Sequence, residues 1–402
     1  MLECWAFRLL AVYFALDALP DLVLRLPRGG SLLVPYWKTW NAVLPWFGAH
    51  ILHLSNPQRL QLPVVSVLLG DFTGAYVLML VFLVLAVIVA TIWTLADQQR
   101  SDYRMLHGWL RVYVRYALAF SMLGYGISKL VQLQFRPLDL VDLMTPVGVL
   151  QPRELLWAYM GFSSTYQIFA GVVECLGVAL LFFRRTVLLG ALVLIGSLTN
   201  ILVIDIAYGV SVRRIVLRFL LMALFLAAAD WRRLMNLFVL HRAAGPVQID
   251  GPSWQSPTAR RVAFALKAVI IIGVVTSVST HRYHERVTAA APRPELYGVY
   301  TVRRVTRDGR AELPENPESW RWIGIDAGRL LIESSGMTWQ RRRAEFDDVR
   351  HTITLPSGPL ANSTLAYSRD GDSVLVAGML DGKQTKIVLR RVANPRFLLQ
   401  GK

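Results

Sequence analysis

The sequence predicts a polytopic α-helical membrane bundle of about seven spans, followed by a C-terminal all-β antiparallel barrel or sandwich domain. Three observations carry that prediction. Apolar residues gather into blocks about as long as a bilayer is thick. Near Ala290 the texture changes to short runs in which apolar and polar residues alternate. Of the 402 residues 54% are hydrophobic and only 17% charged, whereas a soluble domain carries roughly 25% charged residues.

A span needs about 20 predominantly apolar residues. The first candidate runs from about Trp5 to Leu24 and has neither a basic leader nor a small-residue cleavage site, so it reads as a retained span. The second, GAYVLMLVFLVLAVIVATIWTL from Gly74, is the most apolar. The third runs from about Leu110 to Val131, the fourth from Ser164 to Phe183 and the fifth from Val187 to Tyr208. The sixth covers Val210 to Ala229 and the seventh Val262 to Val278. The short FRRT connection makes the fourth and fifth antiparallel neighbours. Between the first two spans, PYWKTWNAVLPWFGAHILHLSNPQRL interleaves Trp37, Trp40 and Trp46 with apolar residues, the pattern of an interfacial helix. The connection QFRPLDLVDLMTPVGVLQPRELLWAYMG predicts a second one. The helical domain is thus expected over 1–285.

The 290–402 region holds eight β-rich runs: GVYTVRRV, RWIGID, RLLIES, MTWQRRR, HTITLP, STLAYS, SVLVAGML and TKIVLRRV. Turn pairs separate them, including Asp308-Gly309, Ala327-Gly328, Ser335-Gly336, Ser357-Gly358, Asp370-Gly371 and Asp381-Gly382. This spacing predicts one antiparallel barrel or sandwich.

The formal charge of +16 does not mark a nucleic-acid protein, because the basic residues form short runs beside apolar segments and no single face. Arg100, Arg104, Arg111, Arg115, Arg184, Arg185, Arg232, Arg233, Arg242, Arg260 and Arg261 all fall on one side of the predicted bundle. Arg25, Arg28, Lys38, Arg136 and Arg153 fall on the other. The positive-inside bias puts the N-terminus in the cytoplasm and the C-terminal domain outside the plasma or inner membrane. Two cysteines, Cys4 and Cys175, lie far apart and in no CxxC, which excludes a disulfide framework and argues against a dithiol relay.

Ionisable residues within apolar spans are costly and face the bundle interior with a partner. Five stand out: Asp17, Lys129, Glu174, Asp205 and Arg218. Glu174 is about ten residues, or about 15 Å, from the Arg184 end of its span and is too short to reach water. Gln167 and Gly171 share its face. Glu174 is either a packing glutamate or a site residue; Asn200, with Ser197 on its face, is a candidate interhelical hydrogen-bonding residue. Lys129, near its span end, and Arg218 each have an alternative as snorkelling side chains. For Arg218 the sharper alternative is a pair with Glu174 or Asp205. Lys129, Tyr125, Asn200, Asp205, Tyr208, Arg218 and Asp17 all fall in the outer half of the bundle, with Glu174 and Gln167 just below, as one outward-opening polar pocket requires. A partly desolvated lysine there could act as a base. His50 and His53 lack a third metal ligand at suitable spacing. No haem, flavin, phosphate-loop or metal motif is found, and Asn362-Ser363-Thr364 fits a glycosylation sequon.

The stretch from about Val114 to Asp230 resembles the DoxX/DoxD-like membrane proteins. RYALAFSMLGYGISKL and FAGVVECLGVALLFFRRTVLLGALVL carry the resemblance: a G-x-x-K, Gly126 to Lys129, then a G-x-x-E-x-x-G, Gly171-Glu174-Gly177, and the basic turn Arg184-Arg185. A more distant likeness is to vitamin K-dependent γ-carboxylase-like membrane domains, which use a lysine after a similar Y-x-x-x-K stretch as catalytic base; Tyr125 and Lys129 match it. The DoxX-like resemblance implies a quinone-linked oxidoreductase subunit or an accessory membrane component. The expected function is therefore a redox component using a lipid-soluble quinone. Lys129 and Tyr125 would bind or deprotonate the head group, Glu174 and Arg218 would handle protons, and a partner protein or soluble substrate would exchange electrons. The alternative is a non-enzymatic carrier or assembly factor for lipid or a small lipophilic molecule.

Overall fold

The structure is a computed structural model of the 402-residue chain. It describes residues 2–24, 29–62, 71–97, 103–243, 245, 256–289, 293–313, 316–355 and 363–393. Arg25, Arg28, Arg100, the Ser357-Gly358 turn and Asn362 of the sequon lie outside the described residues, as does the Arg260 side chain. The chain forms two compact units, Met1–Gln134 with Ile168–Tyr283, and Phe135–Gln167 with His284–Lys402.

The first unit is helical. Its helices are α1 (Leu2–Leu24), α2 (Gly29–His50), α3 (Thr73–Ala96) and α4 (Arg104–Leu130). After a segment that belongs to the second unit, where α5 (Leu140–Met144) and α6 (Pro152–Phe162) lie, follow α7 (Ser164–Leu181), α8 (Val187–Ala207), α9 (Arg213–Ala228), α10 (Trp231–Phe238) and α11 (Pro257–Ala289). Four of these are long and apolar enough to cross a membrane: α3, α7, α8 and Arg261–Val287 of α11. The sequence predicts three more. Those correspond to α1, with Arg8 and Asp17 buried in it; α4, with three arginines and Lys129; and α9, only 16 residues long with three arginines. Charge and length, not lack of packing, set them apart, since Val114, Leu118 and Met122 of α4 and Met222 and Leu226 of α9 are in the buried core with Leu194 and Leu198 of α8. The predicted interfacial segment after α1 is α2. It packs Leu33, Trp37 and Leu44 against Val81 and Phe82 of α3 and leaves Trp46 56% exposed.

Among the described residues the second unit is an antiparallel β-barrel, nearly closed, built on ten strands. They are β1 (Gly298–Arg307), β2 (Arg310–Ala311), β3 (Trp320–Asp326), β4 (Arg329–Ser334), β5 (Trp339–Arg343), β6 (Glu345–Asp347), β7 (Thr352–Leu355), β8 (Ser363–Asp370), β9 (Ser373–Leu380) and β10 (Lys383–Arg391). The eight predicted runs are all strands; β2 and β6, two and three residues long, carry too little pattern to read. Strand order is β5-β4-β3-β1-β10-β9-β8-β7-β6, with β2 beside β1. The two ends of that path, β5 and β6, are separated in sequence by Ala344 alone, which is buried and donates its N–H to Gly328 O. Asp308-Gly309 and Asp381-Gly382 hold positive φ at both positions, 49° and 79°, and 50° and 77°. That is the geometry of two-residue hairpins whose twist matches the flanking strands. Tyr300, Ile325, Ile332, Val376 and Leu389 fill the interior, and Tyr300 Oη donates to Leu296 O at 2.9 Å.

The second unit also takes in a segment from well before residue 284. The predicted interfacial segment between the third and fourth spans packs with the strands, forming α5 and α6 inside the second unit. Asp139 caps α5 in a reciprocal box with Asp142. Leu140 N donates to the buried Asp326 Oδ2 at 2.7 Å, and Met144 sits where a Cβ on Gly324 would be, 2.5 Å from its Sδ. Arg329 pairs with Asp139, and Arg341 Nη1 is 2.5 Å from Glu154 Oε1 on α6. Polar pairing across a turn carries no periodicity, so this docking is invisible in a hydropathy pattern.

Candidate functional site

Glycine brings α4 and α7 together. A Cβ on Gly126 would stand 2.7 Å from Cys175 Sγ, and one on Gly171 would stand 2.9 Å from Gly126 O and 3.0 Å from Lys129 Cβ. Each glycine is thus the surface on which the other helix rests, the close approach that small residues allow between membrane helices. Three residues after each glycine comes an ionisable side chain, and the two meet. Lys129 Nζ donates to Glu174 Oε1 at 2.7 Å and to Oε2 at 3.0 Å, with side chains 7% and 1% exposed. α7 is pressed against α8 by the same device, since a Cβ on Gly190 would be 2.9 Å from Gly177 O.

An ammonium has three donors. Two face Glu174, and among the described residues the third has no protein acceptor. Asp205 on α8 is 5% exposed, its Oδ2 has no hydrogen-bond partner, and its electrostatic neighbours are Asp71, Lys129 and Arg213. Buried polar atoms are almost always hydrogen-bonded, so an unmatched buried donor and an unmatched buried acceptor near one another are what a polar ligand would complete. Gln167, two turns before Glu174 on α7, is 1% exposed with Nε2 likewise unmatched.

Asp71 gives the site its rigid border and escapes sequence reasoning, because it lies in a connection and not in a span. Its carboxylate accepts Arg213 N at 3.1 Å, Arg213 Nε at 2.9 Å and Arg214 N at 3.0 Å. It therefore caps the N-terminus of α9 from a distant part of the chain, where the helix dipole favours an anion. Burial pushes the Asp71 carboxyl up, but these amides and the Arg213 guanidinium outweigh it and hold the carboxyl below the usual 3.8.

A second polar cluster stands on α9 and α1. Arg218 Nε lies 3.6 Å from Asp17 Oδ2 and Nη1 donates to Asp17 O at 3.4 Å; both side chains are buried. The guanidinium also covers the Phe219 ring at 4.9 Å, and Tyr125 meets that ring edge-on at 6.0 Å. Sequence reasoning pairs Glu174 with Arg218; the structure instead pairs Glu174 with Lys129 and Arg218 with Asp17. Tyr208 is half-buried at the C-cap of α8. Asn200 is exposed on α8, on the face opposite Asp205, and does not join the pocket. Arg8 is a further buried charge that inspection of the spans passes over: it donates to Asp97 O at 2.9 Å and to Tyr103 Oη and faces the Trp93 ring at 5.5 Å. His50 hydrogen-bonds Trp46 O through Nδ1 at 2.9 Å and stacks on the Trp46 ring. Among the described residues no group of three or more His, Cys, Asp or Glu side chains is placed to hold a metal ion.

No family model matches the chain, and no solved structure matches it. A 124-residue stretch, 31% of this chain, is 30% identical to the uncharacterized protein YwoB of Bacillus subtilis (strain 168) and covers 79% of that protein. On that identity and coverage the chain belongs to the family of YwoB.

Proposed function

We propose that this protein is a DoxX-like integral membrane component that binds a lipid-soluble quinone at the Lys129–Glu174 pair. In this reading α1, α3, α4, α7, α8, α9 and α11 all cross the plasma or inner membrane, the N-terminus is cytoplasmic and the barrel lies outside. The observation that carries it is a buried lysine ammonium with one hydrogen unmatched and a buried Asp205 oxygen likewise unmatched, with Lys129 among the electrostatic neighbours of Asp205. A quinone head group presents carbonyl oxygens that accept, and in its reduced form hydroxyls that donate, so this pair of groups fits both forms. When bound, the quinone would supply two-electron, two-proton redox chemistry, with electrons exchanged through a partner protein or soluble substrate.

The chain's own residues have separate tasks in this scheme. Lys129 directs its third N–H at a carbonyl oxygen while Glu174 holds the ammonium in place. Asp205 accepts from a hydroxyl. Tyr125, one turn before Lys129 on α4, supplies a phenol donor, and its edge-on contact with Phe219 links it to the Arg218–Asp17 pair. Arg218 orders α9 against α1 and leaves proton handling to Lys129 and Glu174. The test is mass spectrometry of small molecules that co-purify with the detergent-solubilised protein. A quinone recovered from the parent and lost on Lys129→Ala supports the proposal. Phospholipid alone, unchanged in the variant, sinks it and favours a carrier or assembly factor.

A further inference from the structure

Asn200 is the residue that the polar pocket leaves over. α8 buries Ala191, Leu194, Leu198 and Asp205 against the bundle. On its other side Leu189, Leu192, Gly196, Thr199, Val203 and Ile206 are exposed, spaced alternately by three and four residues, with Asn200 beside Gly196. Asn200 lies thirteen residues after Val187 and seven before Ala207, so at about 1.5 Å per residue it is about 20 Å and about 10 Å from the helix ends. In a helix apolar enough to span, that depth is hydrocarbon, where no water can hydrogen-bond an amide. Among the described residues the Asn200 side chain has no hydrogen-bond partner.

A carboxamide carries two N–H donors and an accepting oxygen. The carbonyl one turn back on its own helix could take a donor, but neighbouring backbone N–H groups on that face are used within the helix, and among the described residues the Ser197 hydroxyl on that face makes no hydrogen bond to the Asn200 oxygen. Acyl chains offer neither. The partner must bring a donor and an acceptor to the same depth, and a second Asn200 related by a two-fold axis brings both. Gly196, one turn away on the same face, has nothing within 4 Å of where its Cβ would be. It opens a notch through which two backbones could approach closely enough for the amides to meet. We propose that α8 is the contact between two copies of this chain in the membrane, with the two Asn200 side chains paired reciprocally across the axis. The partner is a second copy because the group to be satisfied is its own complement.

The experiment uses the whole chain in liposomes, with Cys4→Ala and Cys175→Ala as background. Thr199→Cys and Val203→Cys are expected to give disulfide-linked dimers on mild oxidation. Ile88→Cys, on the exposed side of α3, is expected to give none. Association is then measured by single-molecule photobleaching across protein-to-lipid ratios. Asn200→Leu is expected to weaken it about eightfold, as loss of two membrane hydrogen bonds of average strength would. Asn200→Gln, which keeps donor and acceptor, should stay within about twofold of the parent. Any of three results overturns the proposal: a monomer at every density, cross-linking at position 88 as strong as at 199 and 203, or Asn200→Leu dimerising like the parent. Asn200→Gln falling as far as Asn200→Leu would overturn the amide pairing.

Discussion

The Lys129–Glu174 pair permits a sharp test of whether its two residues form one unit. Lys129→Met and Glu174→Leu each remove one charge and leave the other buried, with 1% or 7% of its side chain exposed. Stranding one member of a buried ion pair costs about 3–5 kcal/mol, whereas replacing both members by apolar residues of similar volume is close to neutral or stabilising. Each single variant should therefore lose about 3–5 kcal/mol and the double variant less than about 1 kcal/mol. The full chain would be unfolded by denaturant in detergent and followed by circular dichroism, giving a double-mutant cycle. Additive losses, with the double variant worse than either single one, would refute the reasoning. So would single variants within about 0.5 kcal/mol of the parent, the range expected of a surface residue.

Four further outcomes follow from the geometry. Gly126→Ala meets a sulfur atom, so its destabilisation of about 1–3 kcal/mol should be partly relieved by adding Cys175→Ala. Gly171→Ala meets backbone and should find no such relief, as thermal unfolding of the three variants would show. For Asp71, a folded-state pKa below the unfolded 3.8 means that its contribution is complete above the unfolded value and is lost as pH falls through the folded one. Asp71→Asn should accordingly flatten the stability–pH curve below about pH 3.8 and leave its shape at neutral pH unchanged. Asp326→Ala strands the Leu140 amide at a cost of about 1–3 kcal/mol; faster hydrogen exchange over 140–145, absent in Asp326→Asn, is the expected reading. A C-terminal reporter fusion should be active only in its extracytoplasmic form, and cytoplasmic activity would reverse the proposed topology.

Periodicity made much of this architecture legible. The helical blocks, the change of texture near Ala290 and the eight longer strands rest on residues that repeat with the period of their own element. The Gly126-x-x-Lys129 and Gly171-x-x-Glu174 pattern is legible as a family resemblance, but that its glycines set α4 against α7 and so bring Lys129 to Glu174 shows only in the structure. Partners across the fold were another matter. Glu174 was matched with Arg218 because depth along a span can be counted from the sequence, while rotation about the helix axis relative to a third helix cannot. Asn200 shows the same limit: it has the right depth for the pocket and the wrong face. Asp71 and the Asp139–Asp142–Arg329 cluster lie in connections, where no period exists to reveal what a carboxylate will touch.

The barrel's strand order has a consequence for the order in which the protein can be made. β1 is flanked by β3 on one side and β10 on the other, so the first long strand to be synthesised waits for the last. A nascent chain that has reached β9 can hold two meanders, one from β1 to β5 and one from β6 to β9, but the β1 edge from Tyr300 to Arg307 still lacks its partner. Unpaired edges of that length are templates for pairing with other chains. The vulnerable period of this domain therefore ends only when Lys383–Arg391 has left the ribosome and can pair with β1.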